Sequence, residues 1–355
     1  MLVAPLDWGL GHSTRCIPII KHLLNYGCSV IIGSEGAQKK LLELEFPQLL
    51  FIPLKGYRIH YAKSKRLLLI KILCQLPKIL FSVKKEHSWL QKAVIEHSID
   101  AIISDNRFGL WHHSIPSIFL THQLQIKGPS KWVEMLLRKV NYHHINRFTA
   151  CWIPDFEGVP NLAGALSHPT ILPKIPVKYL GALSRLAVQA PFQSPYDLLI
   201  IISGPEPQRT LLEDKLLAQL KNFKGSTLIV RGLPGSNQKI DSFNNVRIEN
   251  HLNLAELERV FNECRYIISR AGYTTVMDIV KLRKKAILVP TPGQTEQEYL
   301  AVHLQNQQIC IAFEQDKFNL EHALQKASTF NYQLPAFTMD AYKEVVDNFL
   351  HSLRT

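Results

Sequence analysis

The residues whose types and order suggest chemistry most directly lie between Ile268 and Ala301. Apolar residues up to Ser269 end a buried strand, Ala271 and Gly272 make a tight turn, and Tyr273 to Lys281 start a helix. The unpaired backbone N–H groups of that first turn and the helix dipole together favour an anion, and Arg270 adds a fixed charge beside them. A phosphate is the anion this turn suits, with Ser269, Thr274 and Thr275 as hydroxyl neighbours. Asp278 follows Thr274 by about one turn on the same side, so its carboxylate can accept from the vicinal hydroxyls of a sugar. Beyond the next strand, Gln294, Glu296, Gln297 and Glu298 supply acceptors and amides for a further polyol. Phosphate, ribose and second sugar, in that order, is the layout of a nucleotide-sugar site.

This segment resembles the donor-site signature of GT-B glycosyltransferases, above all the family 28 group of lipid-intermediate N-acetylglucosaminyltransferases and diacylglycerol galactosyltransferases. Ala271-Gly272, Thr274 or Thr275, Asp278, Val289-Pro290 and Gln297-Glu298-Tyr299 occupy the positions of that signature. Asp278 replaces the usual ribose-binding Glu and is one methylene shorter. Glu298 replaces a second Gln, which leaves the donor sugar open. The resemblance implies an α/β, GT-B fold: two Rossmann-like domains with a cleft between them. In the second domain's first loop, Gly204 and Arg209 stand in register with the family's phosphate-contacting run, with Ser203 beside them. Pro205 and Pro207 remove two N–H donors there, so phosphate binding is expected to lean on Arg209 and the 269–275 turn. Arg231 and His251 end later strands at the same edge and are further donor-side candidates.

Near the N-terminus, Gly9 and Gly11 allow a sharp turn, and Ser13 is expected to cap a helix running to about Tyr26. A dinucleotide fingerprint needs a third glycine near Thr14, which is missing. Gly-x-Gly-His with Pro18 resembles instead the GT-B acceptor-side loop, in which the histidine is often the general base. The chemistry agrees, because an acceptor hydroxyl attacks only as its proton leaves and imidazole titrates in the useful range. Asp105, after the strand 100–104, would orient His12. The plainer alternative is that His12 caps a helix and Asp105 a turn. His122 and Gln123 stand where the family has a His-Glu-Gln-Asn run lining the acceptor pocket, so they join Gly9 and Gly11 as acceptor-side candidates.

Several elements have to position these groups. Short apolar runs alternate with amphipathic segments, which argues for parallel βα units. Strands are expected at 1–5, 28–33, 49–53, 100–104, 116–121 and 150–154, then at 198–203, 226–231, 245–249, 266–269, 285–289 and 309–313. The implied organisation is an N-terminal domain over 1–185, a linker at 186–196, a donor domain over 197–335, and a C-terminal helix in 336–355 crossing back to the first domain. A chain of 355 residues suits two domains, and six scattered cysteines without Cys-x-x-Cys suggest neither a disulfide framework nor a zinc site.

The net charge of +12 lies entirely in the first half, where residues 1–190 hold 23 Lys and Arg against 11 Asp and Glu. Residues 191–355 hold 18 of each. Such asymmetry points to an anionic partner. From Lys55 to Lys92 there are ten basic residues and one acid, Glu86. Lys71, Gln75, Lys78, Ser82 and Lys85 draw one polar stripe along an otherwise apolar helix, kinked at Pro77, that suits an anionic membrane surface. The alternative is that this apolar face packs on the first sheet. Nucleic acid fits poorly with the donor-site resemblance. The start Met1-Leu2-Val3-Ala4-Pro5 has no signal-peptide pattern, so the expected location is cytoplasmic and peripheral on the inner face of the cell membrane.

These features together lead to the expectation of an inverting, metal-independent transfer of a sugar from a UDP-sugar, as co-substrate, to a lipid-linked or membrane acceptor. No other cofactor is expected, and no Asp-x-Asp occurs. A nucleotide-sugar 2-epimerase of the same architecture, or a non-catalytic sugar-nucleotide-binding protein, are the alternatives.

Overall fold

Parallel strands buried on both faces must be apolar along their whole length, and the chain supplies such runs at regular intervals. The computed structural model describes residues 1–57, 65–128, 130–189, 195–234 and 236–353, and of 65–77 the backbone alone. The chain divides into two units.

The first unit begins with β1 (Leu2–Pro5), α1 (Leu10–Asn25), β2 (Ile31–Ser34), α2 (Gly36–Glu45), β3 (Leu50–Pro53) and α3 (Lys65–Glu96). It continues with β4 (Ile102–Asp105), β5 (Ser117–Leu120), α4 (Lys131–Ile145), β6 (Ala150–Ile153) and β7 (Val177–Tyr179). The seven strands are all parallel, in the order β3-β2-β1-β4-β5-β6-β7. The second unit holds β8 (Tyr196–Ile201), α5 (Gln208–Leu220), β9 (Thr227–Val230), β10 (Val246–Glu249), α6 (Leu254–Glu263) and β11 (Cys264–Ser269). It closes with α7 (Tyr273–Lys281), β12 (Lys285–Leu288), α8 (Thr295–Asn306), β13 (Ile311–Ala312) and α9 (Leu320–Thr329). Its six parallel strands run β10-β9-β8-β11-β12-β13, the same doubly wound order. A last helix, α10 (Ala341–Ser352), belongs to the first unit and packs on α1 and β7. His22 Nε2 meets Asp347 Oδ1 at 2.7 Å there, and the Trp152 and Phe349 rings lie edge to face.

Each expected strand has an observed counterpart, and α7 has the expected bounds. Three features differ. Strand β7 was not anticipated, because it is a three-residue, partly exposed edge strand with no apolar run. Helix α1 starts at Leu10, since Gly9 takes a φ of 77° that only glycine adopts freely and so turns the chain into the helix four residues early. Ser13 is therefore no N-cap. It is buried in the first turn, and its hydroxyl has no partner among the described residues.

The third difference concerns the basic segment. Residues 58–64 and the side chains of Lys71 and Gln75 lie outside the described residues. The backbone of α3 runs on through Pro77 as one helix. Its C-terminal half packs inward, with Leu90 and Ala93 joining Leu2, Ala4 and Ile52 in one cluster and Val83 joining Leu6 and Tyr57 in another. Glu86, counted as the segment's one acid, is buried there. It takes Arg107 Nη1 at 2.8 Å, the Tyr57 hydroxyl at 2.7 Å and the Gly109 N–H at 2.9 Å, which pins α3 to the loop after β4.

Candidate active site

In a doubly wound sheet the loops diverge where the strand order reverses, and ligands bind at the carboxyl ends of the strands on either side. In the first unit that point lies between β1 and β4, whose last residues, Pro5 and Asp105, are register partners. The loop after β1 leads to His12 on the first turn of α1. His12 Nδ1 stands 3.1 Å from Asp105 Oδ2.

Arg15, one turn further along α1, was not singled out from the sequence. Its Nε donates to Asp105 Oδ2 at 2.8 Å, and its Nη2 binds Asp105 Oδ1. Nη2 also lies 2.9 Å from His12 Nδ1, and Nη1 lies 3.1 Å from His122 Nδ1. His12, Asp105 and His122 are thus brought together around one guanidinium. Burial alone would push the Asp105 carboxyl up, yet Arg15 and then His12 outweigh it and hold the group at about 2. Burial, the largest influence on His12, lowers its pKa; Asp105 opposes this, Arg15 adds to it, and the net direction is down. A neutral His12 that donates Nδ1–H to Asp105 leaves the Nε2 lone pair able to accept a proton. Among the other acceptor-side candidates, Gly9 is exposed and the Gly11 carbonyl accepts from Thr14 Oγ1. Gln123 is half-buried, with its backbone tied to Thr121 and Asn141.

The second unit reverses between β8 and β11. Ser203 and Gly204 follow β8, and Ser269 ends β11. Gly272 is the N-cap residue of α7 and no side chain caps that helix, while Ala271 is fully buried. Arg270 differs from the expected charge beside the turn. It is 1% exposed, its Nη atoms donate to the Val289, Pro290 and Gln208 carbonyls, and burial lowers it to about 10. Its Nε has no partner among the described residues, and neither does the hydroxyl of Thr291, also 1% exposed. Both face the same space. A Cβ built on Gly204, where φ is 106°, would lie 3.4 Å from Thr291 Oγ1 and 3.8 Å from Arg270 Nε. Two buried, unanswered polar groups beside a glycine and a helix N-terminus form a cradle for an oxyanion.

Arg209 and Arg231 turn inward instead of toward that space. Arg209 Nε meets Glu206 at 2.6 Å, and Arg231 grips both oxygens of buried Glu213 at 2.7 and 3.0 Å. Arg209 also reaches Glu213 and the Arg231 carbonyl. Arg209, expected to carry the phosphate, is here paired with Glu206 in the loop before α5 and with Glu213 on α5. Ser269 also turns to backbone, donating to the Arg270 carbonyl at 3.1 Å. His251 is exposed two residues beyond β10.

Thr274, Thr275 and Asp278 are half-buried along α7. Of the polyol candidates, Gln297 Oε1 accepts the Thr291 N–H at 2.9 Å and its amide donates to Gln294 Oε1, while Glu298 Oε1 accepts the Gly293 N–H at 2.9 Å. The first turn of α8 therefore folds back to hold the loop that presents Thr291, and Glu296 is half-buried beside it. Thr291, like Arg15, was missed. Its place just past β12, at the carboxyl edge, was the available signal, as for Arg15 was a lone arginine at the head of the apolar run Cys16–Ile20.

The glycosyltransferase family 28 C-terminal domain matches residues 231–347. No curated protein matches the chain. Among solved structures, MurG of Acinetobacter baumannii superposes with a TM-score of 0.59 at 14% identity, over 99% of each chain. SnogD from Streptomyces nogalater gives 0.61 at 11% identity over 99% of this chain and 98% of that one. CalG4, the calicheamicin glycosyltransferase, gives 0.62 at 12% over 99% and 94%. At these identities the likeness is one of fold, and both units share in it.

The inward network makes a prediction. Glu213→Ala removes the carboxylate that buried Arg231 grips and one of the two that Arg209 meets, and is expected to cost about 3–5 kcal/mol in thermal unfolding, whereas a shift within about 0.5 kcal/mol would mean that Glu213 holds neither guanidinium in place.

Proposed function

Starting from a chain that is a glycosyltransferase of the GT-B fold and resembles family 28, we propose that it moves a hexose or N-acetylhexosamine from a UDP-sugar to a lipid-linked or membrane-associated acceptor. The observation that carries this reading is the empty-handed pair Arg270 Nε and Thr291 Oγ1 beside Gly204 and the N-terminus of α7. A diphosphate seated there would receive a cation, a hydroxyl and helix N–H groups at once. Its developing charge would be stabilised as the sugar leaves, with no metal ion required. Asp278, one helical turn along α7 from Thr274, is the acceptor for the ribose hydroxyls.

In the transfer step, His12 Nε2 takes the proton of the acceptor hydroxyl as its oxygen bonds to the anomeric carbon. The bond from that carbon to the diphosphate oxygen breaks on the opposite face, UDP leaves with the electron pair, and the sugar's configuration inverts. Asp105 accepts Nδ1–H and stabilises the imidazolium formed.

An anionic membrane surface, met from the cytoplasmic side, suits the exposed faces of the first unit. No helix among the described residues is long and apolar enough to cross a membrane. Helix α4 exposes Trp132 (66%), Met135, Leu136 and Val140, a single face by spacing, with Lys131 and Lys139 exposed alongside. On α3, Leu80 and Phe81 are exposed next to Lys84 and Lys85. Apolar side chains set among basic ones are the pattern of a helix lying in an anionic interface.

Two measurements test this. A screen for UDP release from UDP-N-acetylglucosamine, UDP-galactose and UDP-glucose, with and without membrane lipid extract, is expected to show release coupled to a glycosylated lipid. His12→Ala should lower the rate about a hundredfold or more. A fall below roughly tenfold would remove His12 as the base, and UDP release without a second product would favour the 2-epimerase alternative. In co-sedimentation with phosphatidylglycerol vesicles at low salt, the double variant Trp132→Glu, Leu136→Glu should bind at least about tenfold more weakly. Equal binding would remove the membrane surface from α4.

A further inference from the structure

Arg15 is 2% exposed, so its charge has to be answered by the side chains around it. One planar group meets three others: both oxygens of Asp105, Nδ1 of His122 and Nδ1 of His12. A simple His–Asp pair behaves differently. There the carboxylate faces the imidazole alone, favours the imidazolium, and tends to leave the base already protonated. Here Asp105 is matched by Arg15 before His12 titrates, and an imidazolium at His12 would have a cation 2.9 Å from its Nδ1. That nitrogen cannot donate to Asp105 and accept from Arg15 at once. Nη2 already donates to Asp105 Oδ1, so the tautomer with Nδ1–H on Asp105 satisfies both groups and leaves Nε2 unprotonated.

We propose that Arg15 is a positioning residue for the transfer: it clamps Asp105 against His12 and keeps His12 neutral at rest, so that Nε2 is a free base when the acceptor hydroxyl arrives. The groups facing His12 are Arg15 on its own helix, Asp105 at the end of β4 and His122 beyond β5. The Cys16 thiol, 3.8 Å from Asp105, is pushed up by burial and stays protonated. In the step itself the acceptor's proton passes to Nε2. The positive charge then formed on His12 is shared with the Asp105 carboxylate and lost to solvent after UDP departs. The proposal rests on His12 as the base.

The NMR titration needs no acceptor, and the rate measurements use the membrane lipid extract. In protein carrying 13C-labelled histidine, the His12 ring signal, assigned by its loss in His12→Gln, is titrated by NMR in wild type, Arg15→Gln and Arg15→Lys. Arg15→Gln is expected to raise the His12 midpoint by about 1–3 pH units, and Arg15→Lys, which keeps the cation, by much less. The acid limb of kcat/KM for UDP release should move to higher pH with it in Arg15→Gln, so that activity lost at neutral pH returns in alkali. An unchanged midpoint in a folded Arg15→Gln protein, or a loss of rate equal at every pH, overturns the proposal. If Arg15→Gln does not fold, Arg15→Lys decides the matter: a rise of one unit or more despite the retained charge overturns it, and a midpoint near wild type with lowered kcat and steady KM supports it. A His12 midpoint that moves while the rate limb stays put leaves Arg15 in control of His12, yet overturns the base assignment and with it the catalytic part of the proposal.

Discussion

A carboxylate with no access to water stays ionised only where cations and donors answer it, and Asp105 at the end of β4 is such a group. Much of the first unit can be read as the means of answering it. The reversal of strand order between β1 and β4 puts it at the carboxyl edge where doubly wound sheets bind ligands. Gly9 turns the chain early enough for α1 to begin at Leu10, and the helical repeat then brings His12 and Arg15 to the same face, one turn apart. Glu86 and Arg107 fix the loop that follows Asp105 by a second buried pair, tied to the Pro5 carbonyl at 2.8 Å. Removing one partner of either pair leaves a charge without an answer, which is why such clusters tolerate little change.

The second unit repeats the topology with the opposite electrostatic problem. Its switch point holds a buried arginine, Arg270, whose Nη atoms are satisfied by carbonyls and whose Nε is not. Arg209 and Arg231 close around Glu213 and contribute rigidity behind the loop after β8. Gln297 and Glu298 hold the loop in front of it through the Thr291 and Gly293 amides. A site preorganised in this way keeps its donors in place without reorganisation as charge develops.

How much was legible in the sequence follows from what determines each feature. Strand positions and the strand, turn and helix around Arg270 depend on local apolar runs and glycines, and these matched residue by residue along α7. The partners of His12 and Asp105 were legible as residue types at strand ends. Arg15 was not, because its role depends on a residue 90 positions away that only the fold brings near. Arg209 is ambiguous for a different reason: an arginine at a sheet edge can face a ligand or a nearby acid, and Glu213, four residues on, signals the ion pair without deciding the ligand contact. The basic segment drew attention to α3, whose C-terminal half packs inward, while the exposed row on α4 carries fewer charges and stands out only once burial is known.

The central claim is that the cradle formed by Gly204, Arg270 and Thr291 holds the diphosphate of the donor. Calorimetric titration with UDP addresses it directly. The account predicts one-to-one binding of UDP that persists in His12→Ala, is absent for uridine, and weakens about ten- to a hundredfold in Thr291→Val, the loss expected for one hydrogen bond to a charged group. UDP binding of wild-type strength in Thr291→Val, or uridine binding as tightly as UDP, would contradict it.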